Sequence, residues 1–310
     1  MILCSGSIVF DTLARPVEAP RWGTTTLVET IECHAGGNGA NTAIALAKLG
    51  TPVRLIGAVG ADSQGRFVVD ALRSAGVDTR GVLTVDSPTA ATVVLINERG
   101  DRTFLHSPGA GALAFAESIS VAGAAHYHLA SFFVLPNFRD RAPEALRLAK
   151  LAGLTTSFDT NWDPQGRWMQ DLAACLPHID TIFINEDEAR MTTGYTNPRD
   201  AACRLLAGGV KVAVMKLGSR GCAIITAHEQ HFCPAFDVEV RDTTGAGDCF
   251  VAGYLAATTR GEKPAEAGRF ANAVAAWSVQ HVGGAAGVGS MEEIERWMET
   301  AAVRRDTLEG

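Results

Sequence analysis

Short apolar runs alternate with helix-period segments that each close on glycine, and this rhythm constrains the 310-residue chain more than any other feature. The runs at 2–10 (ILCSGSIVF), 53–60, 125–131, 154–159, 181–185 and 211–218 read as buried strands. Between them lie NTAIALAKLG (41–50), GRFVVDALRSAG (65–76), APEALRLAKLAG (142–153) and DAACRLLAGG (200–209). Each ends where glycine stops a helix. Strand and helix in repeated turn predict a three-layer, doubly wound, mainly parallel sheet with helices on both faces. Ligands of such sheets bind at the carboxyl ends of the strands, so motifs there carry the most weight.

Two stretches break the rhythm. Residues 21–33 (RWGTTTLVETIEC) and 89–106 (TAATVVLINERGDRTFLH) are β-branched, alternating and free of helix signals, and NERGD reads as a hairpin turn. They predict a small β-sheet lid over about 12–33 and 88–108 within a single domain spanning 1–310. After Asp248 the chain reads as helical, through FANAVAAWSVQHV and a capped MEEIERWMETAA with Ser290 as N-cap and Glu293 three residues on.

Composition narrows the class. A hydrophobic content of 47% supplies a large core, and a net charge of −7 argues against a nucleic-acid partner. Seven scattered cysteines without a C-x-x-C pair fit reduced thiols of a cytoplasmic protein. The start MILCSGSIVFD meets Asp11 too early for a signal peptide, and no run approaches the ~20 apolar residues of a membrane span.

The chemistry concentrates in DTTGAGDCF, 242–250. FDVEV upstream alternates as a strand would, and CFVAGYLAATTRG downstream has helical spacing. Gly245, Ala246 and Gly247 are therefore expected at a helix N-terminus, where free N–H groups and the helix dipole favour an anion. Asp248 falls in the first turn beside them. A capping aspartate alone would explain Asp248, but not the lining of small residues. In HAGGNGANTAIALAKLG, Gly36, Gly37 and Asn38 precede a helix whose early turn holds Asn41. The plain reading is an N-cap with glycine turns; the functional one is an amide-rich surface for hydroxyl groups.

Together these two stretches resemble the signatures of the ribokinase-like (PfkB) carbohydrate kinases. The likeness extends over GSIVFD, NEDE, KLGSRG and the closing ANAVAAWSVQHVGGAAGVGS. It implies an ATP-dependent small-molecule kinase of ribokinase-like fold. Asp248 would be the base that takes the acceptor hydroxyl proton, and Gly245, Ala246 and Gly247 the anion hole for the phosphoryl group in flight. Asp11, Gly36, Gly37, Asn38 and Asn41 would bind the acceptor. Asn185, Gly218, Ser219, Gly221 and Asn272 would border ATP. Asn185 and Glu188 would organise Mg2+, largely through water. Asp242, with carbonyls near Thr244 and from 283–287, matches a site that holds K+ in many members, although Gly287 stands where some relatives supply serine. The resemblance also admits a homodimer through the lid.

A sugar is the acceptor expected first and a nucleoside second, with Phe104, Phe132 and Phe133 as candidate stacking surfaces. Asp163, in FDTNWDPQGRW, argues against a sugar acid because its charge would repel a carboxylate; Arg167 lies near but displaced. A non-catalytic sugar or nucleotide sensor is the remote alternative. Three further features are set aside. HYH (126–128) lacks a third metal ligand, GAGALA (109–114) does not follow a first Rossmann strand, and no Gly-Lys pair exists for a Walker A loop.

Overall fold

The computed structural model describes residues 1–114 and 120–304. In chain order the first elements are β1 (Ile2–Ser5), β2 (Val9–Arg15), β3 (Thr30–Gly36), α1 (Asn38–Lys48), β4 (Val53–Gly60), α2 (Ser63–Ser74), β5 (Asp78–Val85), β6 (Ala91–Ile96) and β7 (Arg102–Ser107). There follow β8 (His126–Leu129), α3 (Pro136–Leu151), β9 (Thr155–Asp159), α4 (Met169–Leu172), β10 (Thr181–Asn185), α5 (Glu186–Thr193) and α6 (Pro198–Ala207). The last are β11 (Val212–Lys216), β12 (Gly221–Ile225), β13 (Gln230–Pro234), α7 (Ala246–Thr259), α8 (Pro264–Ser278) and α9 (Met291–Met298).

The main sheet has nine strands in the order β13-β12-β11-β10-β9-β8-β1-β4-β5. It is parallel except for the antiparallel β11–β12 and β12–β13 pairs at one edge. Successive strand residues face opposite layers. In β10, Phe183 joins the core under α1, α7 and α8, whereas Ile182 and Ile184 join the core under α3, α5 and α6. Both faces are therefore apolar, as the unbroken hydrophobic runs require.

A second sheet, in the order β3-β2-β6-β7, forms the lid. Its alternation separates two faces: Asp11, Thr92, Val94, Phe104 and His106 line a cavity, while Ile31, Val93 and Leu105 are exposed on the other side. Residues 16–29, expected in part as strand, hold none; β2 and β3 flank them.

The run 2–10 is not one strand. It breaks after Ser5, and Val9 onward enters the lid. The break has a local cause. Helix α1 has no side-chain cap of its own, and Ser7 supplies one: its Oγ accepts from Asn38 N–H at 3.0 Å and its carbonyl from Ala40 N–H at 3.1 Å. Gly6 lies so close to Gly39 that a Cβ on either would come within 2.6 Å of the other's Cα.

FDVEV is also not a strand. Only Phe236 forms an isolated bridge, to Val303, and Val238 and Val240 wall a cavity instead. Strands β5 and β13 carry no strong period-2 signal and escape the sequence reading. The C-terminal helix begins as expected, with Ser290 and Glu293 closing a reciprocal cap. All seven cysteines are free thiols. Among the described residues no helix is long and apolar enough to cross a membrane.

Candidate active site

Helix α7 starts at Ala246 behind Gly245, whose φ of 67° is a left-handed conformation suited to glycine. The first N–H groups of the helix lack intrahelical partners, and Ala246 N–H makes only a 3.3 Å bond to the Thr243 carbonyl. Asp248, in the first turn, is buried at 5% exposure. Two amides grip its carboxylate: Asn38 Nδ2 donates to Oδ1 at 2.9 Å and Asn41 Nδ2 to Oδ2 at 2.8 Å. Burial raises its pKa, the two amides and Lys216 opposing the rise. The asparagines expected to meet a ligand thus also hold the candidate base.

Two cavities meet at this helix start. One of about 860 Å³ is lined by Asp11, Gly37, Asn38, Asn41, Gly245 and Asp248, with the lid face above. The other, of about 310 Å³, is lined by Ala246, Gly247, Gly218, Ser219, Gly221 and Asn272. Its apolar walls include Phe236, Val238, Ala275 and Val279, a slot suited to a flat ring. Thr243 borders both. The small-residue turn Gly245–Gly247 is therefore the partition between them.

Asp11 projects from β2 into the larger cavity. Gly36 lies diagonally across on β3, where a Cβ would come 1.8 Å from Asp11 Oδ2, so a side chain there would force the carboxylate to move. Gly37, at φ 92°, is likewise left bare against the Ser7 carbonyl. Burial pushes the Asp11 carboxyl up to about 6, a hydrogen bond from Thr92 acting against it and the charge of Asp248 adding to it.

The strand ends carry a charge cluster that the sequence reading missed in part. Lys216 closes β11 and lines the smaller cavity, with its Nζ 2.5 Å from Asp159 Oδ1 at the end of β9. Burial works against the Lys216 charge, but Asp159 and Glu188 outweigh it and hold the amine protonated. A lysine as the last residue of a buried strand, directly before the LGSRG turn, was the available signal. Asn185 and Glu188 form a reciprocal cap on α5, and Glu188 Oε2 also accepts from Thr160 Oγ1 at 2.6 Å. Neither lines the two cavities. Among the described residues no group of three or more histidine, cysteine or acidic side chains is placed to hold a metal.

Asn272 lines the smaller cavity but is buried, and its amide donates to the carbonyls of Cys233 and Pro234. Two expectations need correction. Phe132 and Phe133 are fully buried and pack edge-to-face with each other, Phe158 and Trp168, so they offer no stacking surface; Phe104 does, beside Trp162. Asp163 does not line the larger cavity: buried at 2%, its carboxylate accepts from Gln165, Arg167 and Trp168 N–H and orders its own loop. Arg167 pairs with Asp171. His126 and His128 bond to Thr155 and Ser157, as packing residues do.

Asp242 is also buried. Its Oδ1 accepts from Thr244 N–H at 2.8 Å and from Arg102 Nη2 at 2.6 Å, and its Oδ2 from Gly283 N–H at 3.0 Å. Burial raises its pKa, but these donors outweigh it and keep the carboxyl below its usual range.

Comparison with known proteins agrees with this arrangement. The model of the pfkB family of carbohydrate kinases matches residues 1–290. An ATP-dependent ribose-1-phosphate kinase of Halopiger xanaduensis is 32% identical over 264 residues, covering 82% of this chain and 83% of its own. Fructokinase-2 of Oryza sativa subsp. japonica is 31% identical over 262 residues, 78% of each chain. Among solved structures, Arabidopsis thaliana ribokinase complexed with ribose and ATP superposes with a TM-score of 0.87 at 27% identity, covering 96% of this chain and 98% of that one.

The raised Asp11 carboxyl makes a stability prediction with a definite sign. Its folded value of about 6 lies above the ordinary 3.8, so ionising it in the folded protein is unfavourable. That penalty is absent below about pH 4, grows between pH 4 and 6, and is complete above. Asp11→Asn should therefore stabilise the ligand-free protein by about 1–3 kcal/mol at pH 7. The gain should vanish near pH 4, as urea unfolding at the two pH values will measure. An equal effect at both would show that Asp11 is not buried as a charge.

Proposed function

The chain belongs to the pfkB family of carbohydrate kinases and is an ATP-dependent sugar kinase; we propose that phosphoryl transfer crosses the Gly245–Gly247 partition. The single observation that supports this most is that Asp248 and the free helix N-terminus stand at the junction of two cavities of unlike character. The smaller, apolar one suits the adenine of ATP, with Gly218, Ser219 and Gly221 beside ribose and phosphates. The larger, with Asp11, Asn38 and Asn41, suits a polyhydroxylated acceptor.

In this reading Asp248 accepts the proton of the attacking hydroxyl. Its raised pKa makes it a better proton acceptor than an exposed aspartate, and the paired amides fix its direction. The N–H groups of Gly245, Ala246 and Gly247 stabilise charge on the phosphoryl oxygens. Lys216, adjacent to Gly247, adds a cation on the ATP side. Mg2+, when bound with ATP, would neutralise phosphate charge, and Glu188 would reach it through water.

A nucleoside acceptor is the second reading. It is favoured by the size of the larger cavity and by Phe104 and Trp162, aromatic side chains more than half exposed on its wall. The exposed apolar face of the lid supports a homodimer through that sheet; light scattering that gives the monomer mass at all concentrations would remove it.

ATP consumption against a panel of pentoses, hexoses, sugar phosphates and nucleosides decides between the acceptors. With the acceptor found, Asp248→Asn should lower turnover by about 100- to 10,000-fold with ATP affinity nearly unchanged. Near-parental turnover in the folded variant would end the assignment of the base. Lys216→Met should raise the KM for ATP and leave that for the acceptor alone, and overlaid ATP titrations would count against its role.

A further inference from the structure

Arg102 is the first residue of lid strand β7, yet its guanidinium ends at the loop that carries the anion hole. Nη2 donates to Asp242 Oδ1 at 2.6 Å and Nη1 to Thr243 Oγ1 at 3.1 Å. The Arg102 side chain is 15% exposed and that of Asp242 3%, so this charge pair is largely out of water. Its Nε is buried without a protein partner, and the residue lines the larger cavity.

The lid touches the same loop system a second time. The ring of His34, on β3, lies over Gly283, where a Cβ would come within 2.8 Å of its Nδ1. Gly283 N–H is in turn the donor to Asp242 Oδ2. Every Asp242 contact is thus a protein donor: two backbone N–H groups and one guanidinium. A potassium ion at this carboxylate would have to displace Arg102 or sit against its charge. The residues present do not fit a monovalent cation.

We propose that Arg102 is the resident cation of the anion-hole loop: it occupies the place of a monovalent cation at Asp242 and makes the alignment of Gly245–Gly247 depend on the lid. Arg102 is a positioning residue in this scheme. The inference rests on the kinase reading and has two consequences. Transfer needs no potassium, and the loop holds its geometry only while β7 stays docked on it, which links acceptor enclosure to activation of the hole.

Turnover is measured in potassium, sodium and tetramethylammonium chloride at matched ionic strength, for the parent and for Arg102→Met. Parent rates should coincide in the three salts. The variant should lose about 100-fold in kcat in tetramethylammonium, with less change in the KM for ATP, and should recover with added potassium or methylguanidinium. A parent that runs faster in potassium, or a variant that matches the parent in every salt, overturns the proposal. Should Arg102→Met not fold, Arg102→Lys takes its place, with the same pattern at smaller amplitude expected and parental rates in all salts as the overturning result. Melting of the ligand-free protein in the same salts separates this proposal from the kinase reading. Equal parent midpoints with a potassium-dependent rise only in the variant support it, even if no acceptor is found. A potassium-dependent rise in the parent overturns it.

Discussion

The grip of two amides on one buried carboxylate organises this molecule. Asn38 and Asn41 stand on the first turn of α1, and Asp248 on the first turn of α7, so their hydrogen bonds tie two helix N-termini together. Further hydrogen bonds hold the α1 side. Asn38 N–H is held by Ser7 Oγ, Ser7 Oγ bonds to Ser131 Oγ at 2.8 Å, and Ser131 Oγ donates to Asn38 Oδ1 at 3.2 Å. Ser131 adopts φ 62°, a strained conformation for a residue with a Cβ. The ends of β1 and β8 and the starts of α1 and α7 therefore share one small polar network. Two residues beyond Ser7 the lid begins, so the base and the root of the lid are fixed by the same contacts.

Charge balance is the second constraint. A site that must receive a polyanion contains Asp11, Asp159, Glu188, Asp242 and Asp248, most of them buried. Like charges in a low-dielectric interior would repel strongly. The structure distributes its cations to offset this: Lys216 answers Asp159 on the side of the smaller cavity, and Arg102 answers Asp242 on the side of the larger. Asp248 has no cation in hydrogen-bonding contact; two amides orient it and offset only part of the pKa rise that burial causes. The positive groups thus flank the Gly245–Gly247 turn from opposite sides while the base itself keeps a neutral shell.

What could be read in advance follows from how local each feature is. The α7 start, with Gly245 as the left-handed residue before it, is written in nine consecutive residues because a helix end is a local structure. The strands at 53–60 and 181–185 were legible for the same reason. The 2–10 run misled because its apolar character is continuous, while its break comes from a partner 31 residues away, the α1 N-terminus that Ser7 caps. Phe132 and Phe133 read as available until Phe158 and Trp168 close over them. Lys216 was missed since a lysine at a strand end is ordinarily exposed; here Asp159 from a strand two places away explains its burial.

This contrast also explains why the acceptor is the least legible part of the function. The phosphoryl-transfer groups sit at helix termini, where turn geometry imposes glycine and small residues at fixed offsets and so leaves a motif. The residues proposed to face the acceptor, Asp11, Thr92, Phe104 and His106, sit on three strands of the lid, at positions whose only local requirement is to alternate. Sheet geometry fixes which face they occupy but not what they are. Gly36 is different, since the Asp11 carboxylate lies in the space that its Cβ would take, and a glycine there is a local signal. A lid built this way can change its cavity-facing side chains without moving Asp248, whose position depends on α1 and α7. The acceptor side and the candidate base are held by different kinds of backbone, and Arg102 of β7 joins the two through Asp242.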